Sequence, residues 1–107
     1  MKELEIIIPA YNAHDTIVKT LDSLSVQKNI ANFHVTIVND FGNSYTDIIN
    51  KYKNIISITE LNTGENVGPG LARQYGLDNT SSDYVIFIDA DDYLYTEDSL
   101  DILLYRI

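Results

Sequence analysis

The sequence predicts an α/β protein with a Rossmann-like parallel sheet. Four short apolar runs, rich in β-branched residues, are each followed by a segment whose apolar residues recur at helical spacing. Neither internal repeats nor low-complexity segments interrupt this alternation. Because a strand, a helix and a further strand in this order fold as right-handed βαβ units, we expect the strands to be parallel and the helices to alternate with them.

The four predicted strands are short and end at clear signals. The first, Leu4–Ile8, stops at Pro9, because proline cannot donate to a strand ladder. The second, His34–Val38, ends in a cluster of turn-forming residues, and the third covers Ile55–Leu61. The fourth, Val85–Ile88, is apolar at every position, which is typical of a central strand buried on both faces.

Helices are predicted between and after these strands. Asn12 is the expected N-cap of the first helix, which extends to about Gln27. A short second helix covers Thr46–Tyr52, and a last helix begins at Thr96. The whole chain is thus accounted for by one small domain of strands and helices.

The third helix follows a loop with glycines, 62–68. Glycine permits positive φ and a close approach of a ligand to the backbone, and a helix N-terminus attracts anions. From this helix Arg73 could reach a phosphate or a nearby carboxylate. Val67, Leu71 and Tyr75 recur on one face, which we expect to be buried.

Three carboxylates, Asp89, Asp91 and Asp92, follow the fourth strand directly. Ligands of open α/β sheets bind at this carboxyl edge. Three acids so close together repel one another unless a cation neutralises them or water solvates them, and Mg²⁺ and Mn²⁺ prefer oxygen ligands. These residues alone fit a metal site and a solvated acidic loop equally well.

The composition excludes several classes of partner. The chain has 107 residues, 16 acidic and 7 basic, with a net charge of −9 and no basic cluster, which argues against nucleic acid and anionic membranes. An anionic ligand would need a metal or backbone N–H groups. No transmembrane segment or signal peptide is evident, and cysteine is absent, so we expect a cytoplasmic protein that could reach the inner membrane face only through further parts.

Common nucleotide motifs are missing. The first strand leads into Pro9–Asn12 rather than a glycine-rich fingerprint, a Walker loop is absent, and the positions where an EF-hand requires Gly and Glu are both leucine. What remains is a crevice with an aromatic residue, Tyr11, an acceptor, Asp40, and the acid pair Asp89 and Asp91. These groups together suit a nucleoside diphosphate.

Four segments in series resemble the nucleotide-binding half of family 2 glycosyltransferases, which have the GT-A type fold. They span nearly all of the chain and read IIIPAYNAHDTIVKTLDSL, VTIVNDFGNSYTD, TGENVGPGLARQYGL and YVIFIDADDYL. The resemblance implies metal-assisted transfer of a sugar, with inversion, from a nucleotide-diphospho-sugar to an unidentified acceptor. It favours a UDP-sugar as donor and Mn²⁺ or Mg²⁺ as cofactor.

The resemblance also assigns the ends of the first two strands to the donor. Pro9, Ala10 and Tyr11 would line the base pocket, and Asp40 would hydrogen-bond the base. The family usually has two acids followed by Gly-Ser here, whereas this chain has Asn39 in place of the first acid and an extra aromatic residue before the glycine. Both Asn39 and Asp40 are therefore candidates for the residue that faces the base.

The remaining assignments concern the diphosphate and the metal. Gly68 and Arg73 would flank the diphosphate. Asp89-Ala90-Asp91 would be the DxD motif of the family, with Asp89 and Ala90 on the donor and Asp91 on the metal that bridges the two phosphates. Asp89 is the second candidate metal ligand.

The resemblance places the catalytic base, an Asp or Glu, downstream of the DxD motif with most of the acceptor site. Residues 1–107 would then be the N-terminal nucleotide-sugar-binding part of a truncated glycosyltransferase domain. Two alternatives remain open: a fragment that binds nucleotide and metal without catalysis, and a haloacid-dehalogenase-type phosphatase. The phosphatase also has Asp-x-Asp after an apolar strand, but on its first strand rather than its fourth.

Overall fold

The computed structural model describes residues 3–27 and 33–100. Strands and helices alternate in the order β1 (Leu4–Ala10), α1 (His14–Ser25), β2 (Phe33–Asn39), α2 (Thr46–Tyr52), β3 (Ser57–Asn62), α3 (Pro69–Asp78) and β4 (Tyr84–Phe87). All three strand pairs are parallel, and the order across the sheet is β3-β2-β1-β4. The predicted α/β fold, with a parallel sheet and alternating helices, is confirmed.

β1 lies inside the sheet and separates two apolar clusters. All seven of its residues are buried. Because successive side chains of a strand point to opposite faces, Ile6 and Ile8 pack into the larger cluster with α1, whereas Ile7 packs with Val38 and Ala72 on the α3 face. Burial on both faces fixes the register of β1, and with it the position of the residues that follow the strand.

β1 also continues through Pro9, where the sequence predicted its end. The carbonyl of Ile7 accepts a hydrogen bond from Ile88 of the chain after β4, at 3.1 Å. Alternate residues of a parallel strand bond to the same neighbour, so the nitrogen of Pro9 also faces the β4 side, but beyond the last residue of β4. The missing N–H of Pro9 therefore costs the sheet no hydrogen bond.

The prediction of a central fourth strand is wrong for the part of the chain that the structure describes. β4 pairs with β1 alone and forms an edge of the sheet. Tyr84, Val85 and Ile86 are half-buried, and Phe87 is 43% exposed. The continuous apolar run identified a strand correctly, but not the number of its neighbours.

The predicted side-chain cap of α1 by Asn12 is also wrong. The helix begins after Ala13, and no side chain caps it from within the turn. Instead the hydroxyl of Tyr45, from before α2, accepts a hydrogen bond from the Ala13 N–H at 3.0 Å. Tyr45 is fully buried and stacks on the ring of His14, with ring centroids 4.0 Å apart. A residue distant in the chain thus satisfies the N–H of the residue that precedes α1.

α3 buries a different face from the one predicted. Leu71 is 62% exposed and Tyr75 39% exposed, whereas Ala72 and Gly76 are buried. A Cβ atom added to Gly76 would lie 2.7 Å from the Ile7 Cγ2. The helix approaches the sheet too closely for large side chains, so its smallest residues form the contact.

This close approach predicts the effect of one methyl group. Gly76→Ala is expected to destabilise the protein by about 1–3 kcal/mol, because the methyl group would overlap Ile7 and Val38 in a packed core. Gly70→Ala is the matched control, since an added Cβ on Gly70, in the same helix, meets nothing within 4 Å. Urea unfolding of the two variants measures the difference. An equal stability of both would contradict the packing.

The last predicted helix lies mostly outside the described residues. Ser99 and Leu100 are helical, whereas Thr96, the predicted first residue, is not. Within residues 3–27 and 33–100, no helix has the length and apolar character that a membrane span requires.

Candidate functional site

A cleft of about 350 Å³ opens at the carboxyl edge of the sheet, where β1 and β4 end side by side. Its lining comprises Pro9, Tyr11, Asn12, Ala13, Thr16, Asp89, Ala90 and Asp91. A larger cavity, of about 490 Å³, lies at the opposite end of the sheet. The smaller cleft is the candidate site, because it joins the aromatic residue after β1 to the carboxylates after β4.

The acidic cluster, Asp89, Asp91 and Asp92, is brought together by a tight turn. The N–H of Asp92 donates to the carbonyl of Asp89 at 3.0 Å, and Ala90 is buried between them. One carboxylate oxygen from each acid lies within 4.8 Å of the others, and all three residues are exposed. An oxygen-only set of this kind fits Mg²⁺ or Mn²⁺.

Arg73 is the basic residue that borders the cluster. Its Nη2 lies 2.8 Å from Oδ1 of Asp89, and the two side chains are 36% and 51% exposed. An ion pair as exposed as this one adds little to stability. Its effect is local: it neutralises one of the three acids and holds a guanidinium at the edge of the cleft, where its other N–H groups can bind an anion.

Asp40 is buried, and its carboxylate holds the loop before α3. Oδ1 accepts a hydrogen bond from the Val67 N–H at 2.8 Å. It also lies 3.2 Å from the Thr63 hydroxyl, whose nearest acceptor is the Glu65 carbonyl at 2.6 Å. Oδ2 accepts from the Gly68 N–H at 2.9 Å. Gly68 has φ of 87°, a conformation that glycine adopts readily and other residues rarely do. The carboxylate therefore faces the loop that leads into α3.

Asn39 is fully buried and closes the turn after β2. Its Nδ2 donates to the carboxylate of Glu60 at 2.8 Å and to the carbonyls of Gly42 and Asn43, and its Oδ1 accepts from the Gly42 N–H. An aspartate here would face the Glu60 carboxylate with no proton to donate. This arrangement gives a physical reason for an amide where the family usually has an acid.

The structure thus brings most of the predicted residues to one edge of the sheet. Those that line the cleft are Pro9, Tyr11, Asp89, Ala90 and Asp91, with Arg73 attached through Asp89. Those that lie behind it or in the adjoining loop are Ala10, Asn39, Asp40 and Gly68. Three lining residues, Asn12, Ala13 and Thr16, were not predicted as site residues, although they follow directly on the predicted segment 9–11.

Comparison with known proteins shows which family the chain matches. The family model for glycosyl transferase family 2 matches residues 5–107. The poly(ribitol-phosphate) beta-N-acetylglucosaminyltransferase TarS of Staphylococcus aureus is 33% identical over 101 residues, which cover 91% of this chain and 18% of TarS. This chain therefore spans less than a fifth of that relative.

Solved structures agree with the fold. TarS 1–349 in complex with UDP-GlcNAc superposes with a TM-score of 0.86 and 29% identity, over 96% of this chain and 30% of that one. The mannosyltransferase PcManGT of Pyrobaculum calidifontis, solved with GDP-Man and Mn²⁺, has a TM-score of 0.80 and 21% identity, over 92% of this chain and 30% of its own. Fold and sequence agree with the predicted resemblance, and the chain belongs to glycosyltransferase family 2.

Proposed function

We propose that residues 1–107 form the nucleotide-sugar-binding part of a glycosyltransferase that takes its sugar from a UDP-sugar. The observation that carries this proposal is the cleft itself, since Tyr11 and two acids of the cluster, Asp89 and Asp91, line the same cleft at the carboxyl edge of the sheet. Support comes from TarS, whose 1–349 structure has been solved with UDP and with UDP-GlcNAc. The acceptor is not identified by any residue in the cleft.

In this proposal the two sides of the cleft bind different parts of the donor. Tyr11 is 54% exposed and offers an aromatic face on which a base can stack, while Pro9 is buried beside it. Asp40, or a water molecule bound to it, would be the acceptor for the base, which requires that the base reach the loop 63–68 that Asp40 now holds. The diphosphate would then lie toward Asp89 and Arg73.

The acidic cluster would hold Mn²⁺ or Mg²⁺, with Asp91 as the principal ligand and Asp89 as the second. The fit rests on the donor set, which contains carboxylate oxygens alone, and on exposure that leaves room for water and phosphate oxygens. When bound, such a cation supplies Lewis-acid stabilisation of the negative charge that develops on the departing diphosphate. Arg73, which lies beside Asp89, can also donate hydrogen bonds to the diphosphate.

Transfer also needs a base to deprotonate the acceptor hydroxyl. We assign this base to a region of the longer family members that residues 1–107 do not match, since the carboxylates of the cleft are assigned to the donor and the metal. The 107 residues by themselves would then bind the donor without transferring the sugar. Membership of family 2 favours this division over hydrolysis by a phosphatase-type aspartate.

Calorimetric titration of the chain with UDP, with and without Mn²⁺, tests this function. We expect binding that strengthens when Mn²⁺ is present, because the acidic cluster repels the diphosphate until a cation neutralises it. GDP and dTDP in the same buffer identify the base. Absence of binding for all three nucleotides in the presence of Mn²⁺ would refute the proposed function.

A further inference from the structure

Ile88 still donates to the Ile7 carbonyl of β1, but the segment that follows it, residues 89–100, is held to α1 by side-chain hydrogen bonds. Three polar residues, here called the α1 stripe, make these contacts: Thr20, Ser23 and Gln27. Their spacing of three and four places them on one side of the helix and its C-terminal extension. This segment begins with the acidic cluster, so the α1 stripe contacts the backbone that carries the carboxylates.

Thr20 makes the contact nearest the acids. It is fully buried, and its hydroxyl lies within hydrogen-bond distance of two carbonyl oxygens, that of Ala90 at 3.2 Å and that of Asp92. A hydroxyl has one proton, so the two carbonyls share it. These carbonyls lie on either side of Asp91, and their contact with one buried atom restricts the backbone of that residue.

The other two members of the stripe hold the chain further on. The Ser23 hydroxyl accepts a hydrogen bond from the Leu94 N–H at 3.1 Å. Gln27 accepts from the Leu100 N–H at 3.0 Å and donates to the Thr96 carbonyl at 2.8 Å. Backbone groups that a strand or helix would normally satisfy are thus satisfied by side chains of α1 and of Gln27, which follows it.

We propose that Thr20 is a positioning residue for the metal ligands, and that it acts by clamping the backbone on both sides of Asp91. The inference rests on the proposed function, since it assigns Asp91 to a metal. The reason is electrostatic: the three carboxylates lie within 4.8 Å of one another and repel, and Arg73 pairs with Asp89 but not with Asp91 or Asp92. The position of Asp91 therefore depends mainly on its backbone. Because Thr20 holds the turn, the carboxylates stay close together before a cation binds. Binding then costs less conformational entropy.

The test uses two matched pairs of side chains that differ by the hydroxyl group. Thr20 and Thr20→Val have the same shape, and Thr20→Ser and Thr20→Ala differ only by the oxygen. We measure the Mn²⁺ affinity in the presence of UDP from the electron paramagnetic resonance signal of free Mn²⁺, the UDP affinity without metal by calorimetry, and the thermal midpoint. Ser25→Ala is the control on the same helix, because among the described residues the Ser25 hydroxyl donates within the helix, to the carbonyl of Asp22, and not to the segment that carries the acids.

We expect Thr20→Val and Thr20→Ala to bind Mn²⁺ about 10- to 100-fold more weakly, which is the range for loss of a group that orients a metal ligand. Thr20→Ser and Ser25→Ala should keep the affinity of the unmodified chain, and the metal-free UDP affinity should stay the same in all variants. If Thr20 contributed only to stability, its substitution would lower the thermal midpoint and would change the Mn²⁺ affinity and the metal-free UDP affinity together.

Three results would overturn the proposal. The first is unchanged Mn²⁺ affinity in a folded variant that lacks the hydroxyl; if Thr20→Val does not fold, the Ser and Ala pair decides. The second is failure of both hydroxyl-free variants to fold, which would make Thr20 a folding residue. The third is a parallel loss of Mn²⁺ and metal-free UDP binding. If the unmodified chain binds no Mn²⁺ in the presence of UDP, the proposed function itself is wrong. That result differs from a loss of affinity in the variants alone, so failure of the function and failure of the Thr20 proposal can be told apart.

Discussion

Asp91→Ala is expected to weaken the Mn²⁺-dependent binding of UDP by at least about 100-fold, since even groups that only orient a metal ligand contribute 10- to 100-fold. Asp91 is exposed, and no basic side chain among residues 3–27 and 33–100 pairs with it. Its removal should therefore leave the fold intact while it takes away the principal ligand. Calorimetry with UDP and Mn²⁺ gives the affinity, and urea unfolding checks the fold.

The control for this variant separates ligation from overall charge. The chain carries a net charge of −9, so the loss of any acid favours an anionic ligand slightly. Asp83→Ala removes one exposed acid from the loop before β4 and changes the net charge by the same amount. It should bind UDP with Mn²⁺ as the unmodified chain does. Equal affinities for the two variants would mean that Asp91 does not hold the metal.

The second large effect is on stability and concerns Asp40. Asp40→Ala removes the acceptor for the Val67 and Gly68 N–H groups, whereas the nearby Thr63 hydroxyl keeps the Glu65 carbonyl at 2.6 Å. Hydrogen bonds to a charged group each contribute about 1.5–3 kcal/mol, and partly buried donors regain some of this from water, so we expect a loss of about 3 kcal/mol. This is a large share of the roughly 5–15 kcal/mol that stabilises a typical domain.

Urea unfolding measures this loss, and two further variants define its cause. Asp40→Asn keeps one acceptor oxygen but points an N–H group at the loop, so its stability should lie between those of the parent and Asp40→Ala. Asp47→Ala removes an exposed acid from the first turn of α2, where a favourable helix-dipole interaction is worth about 0.3–1 kcal/mol. If Asp40→Ala is no less stable than Asp47→Ala, the carboxylate does not hold the loop.

Local signals explain how much of the fold could be predicted from the sequence. Short apolar runs with sharp polar ends predicted four strands, and in a parallel sheet the ends of such strands share one edge. This is why Tyr11 and Asp91, 80 positions apart in the chain, could be expected in one place from the sequence alone. To predict the cleft, little is needed beyond the correct order of strands and helices.

Contacts between distant segments explain what could not be predicted. Asp40 was recognised as an acceptor, but its partners lie 23 to 28 residues further on, and no local pattern links the two segments. Thr20 and Ser23 look like an ordinary polar face of a helix until residues 90–94 pack against them. The face of α3 was misassigned because helical spacing locates apolar residues without giving the distance between helix and sheet.

The position of the metal is the most direct test of the proposed donor site. Crystals of the chain grown with UDP and Mn²⁺, with anomalous diffraction recorded at the manganese absorption edge, would locate the ion independently of any variant. We predict one anomalous peak at coordination distance from the Asp91 carboxylate and from the diphosphate of UDP. Bound UDP with no peak at the acidic cluster, or a peak away from Asp91, would contradict the assignment of this cluster to the metal.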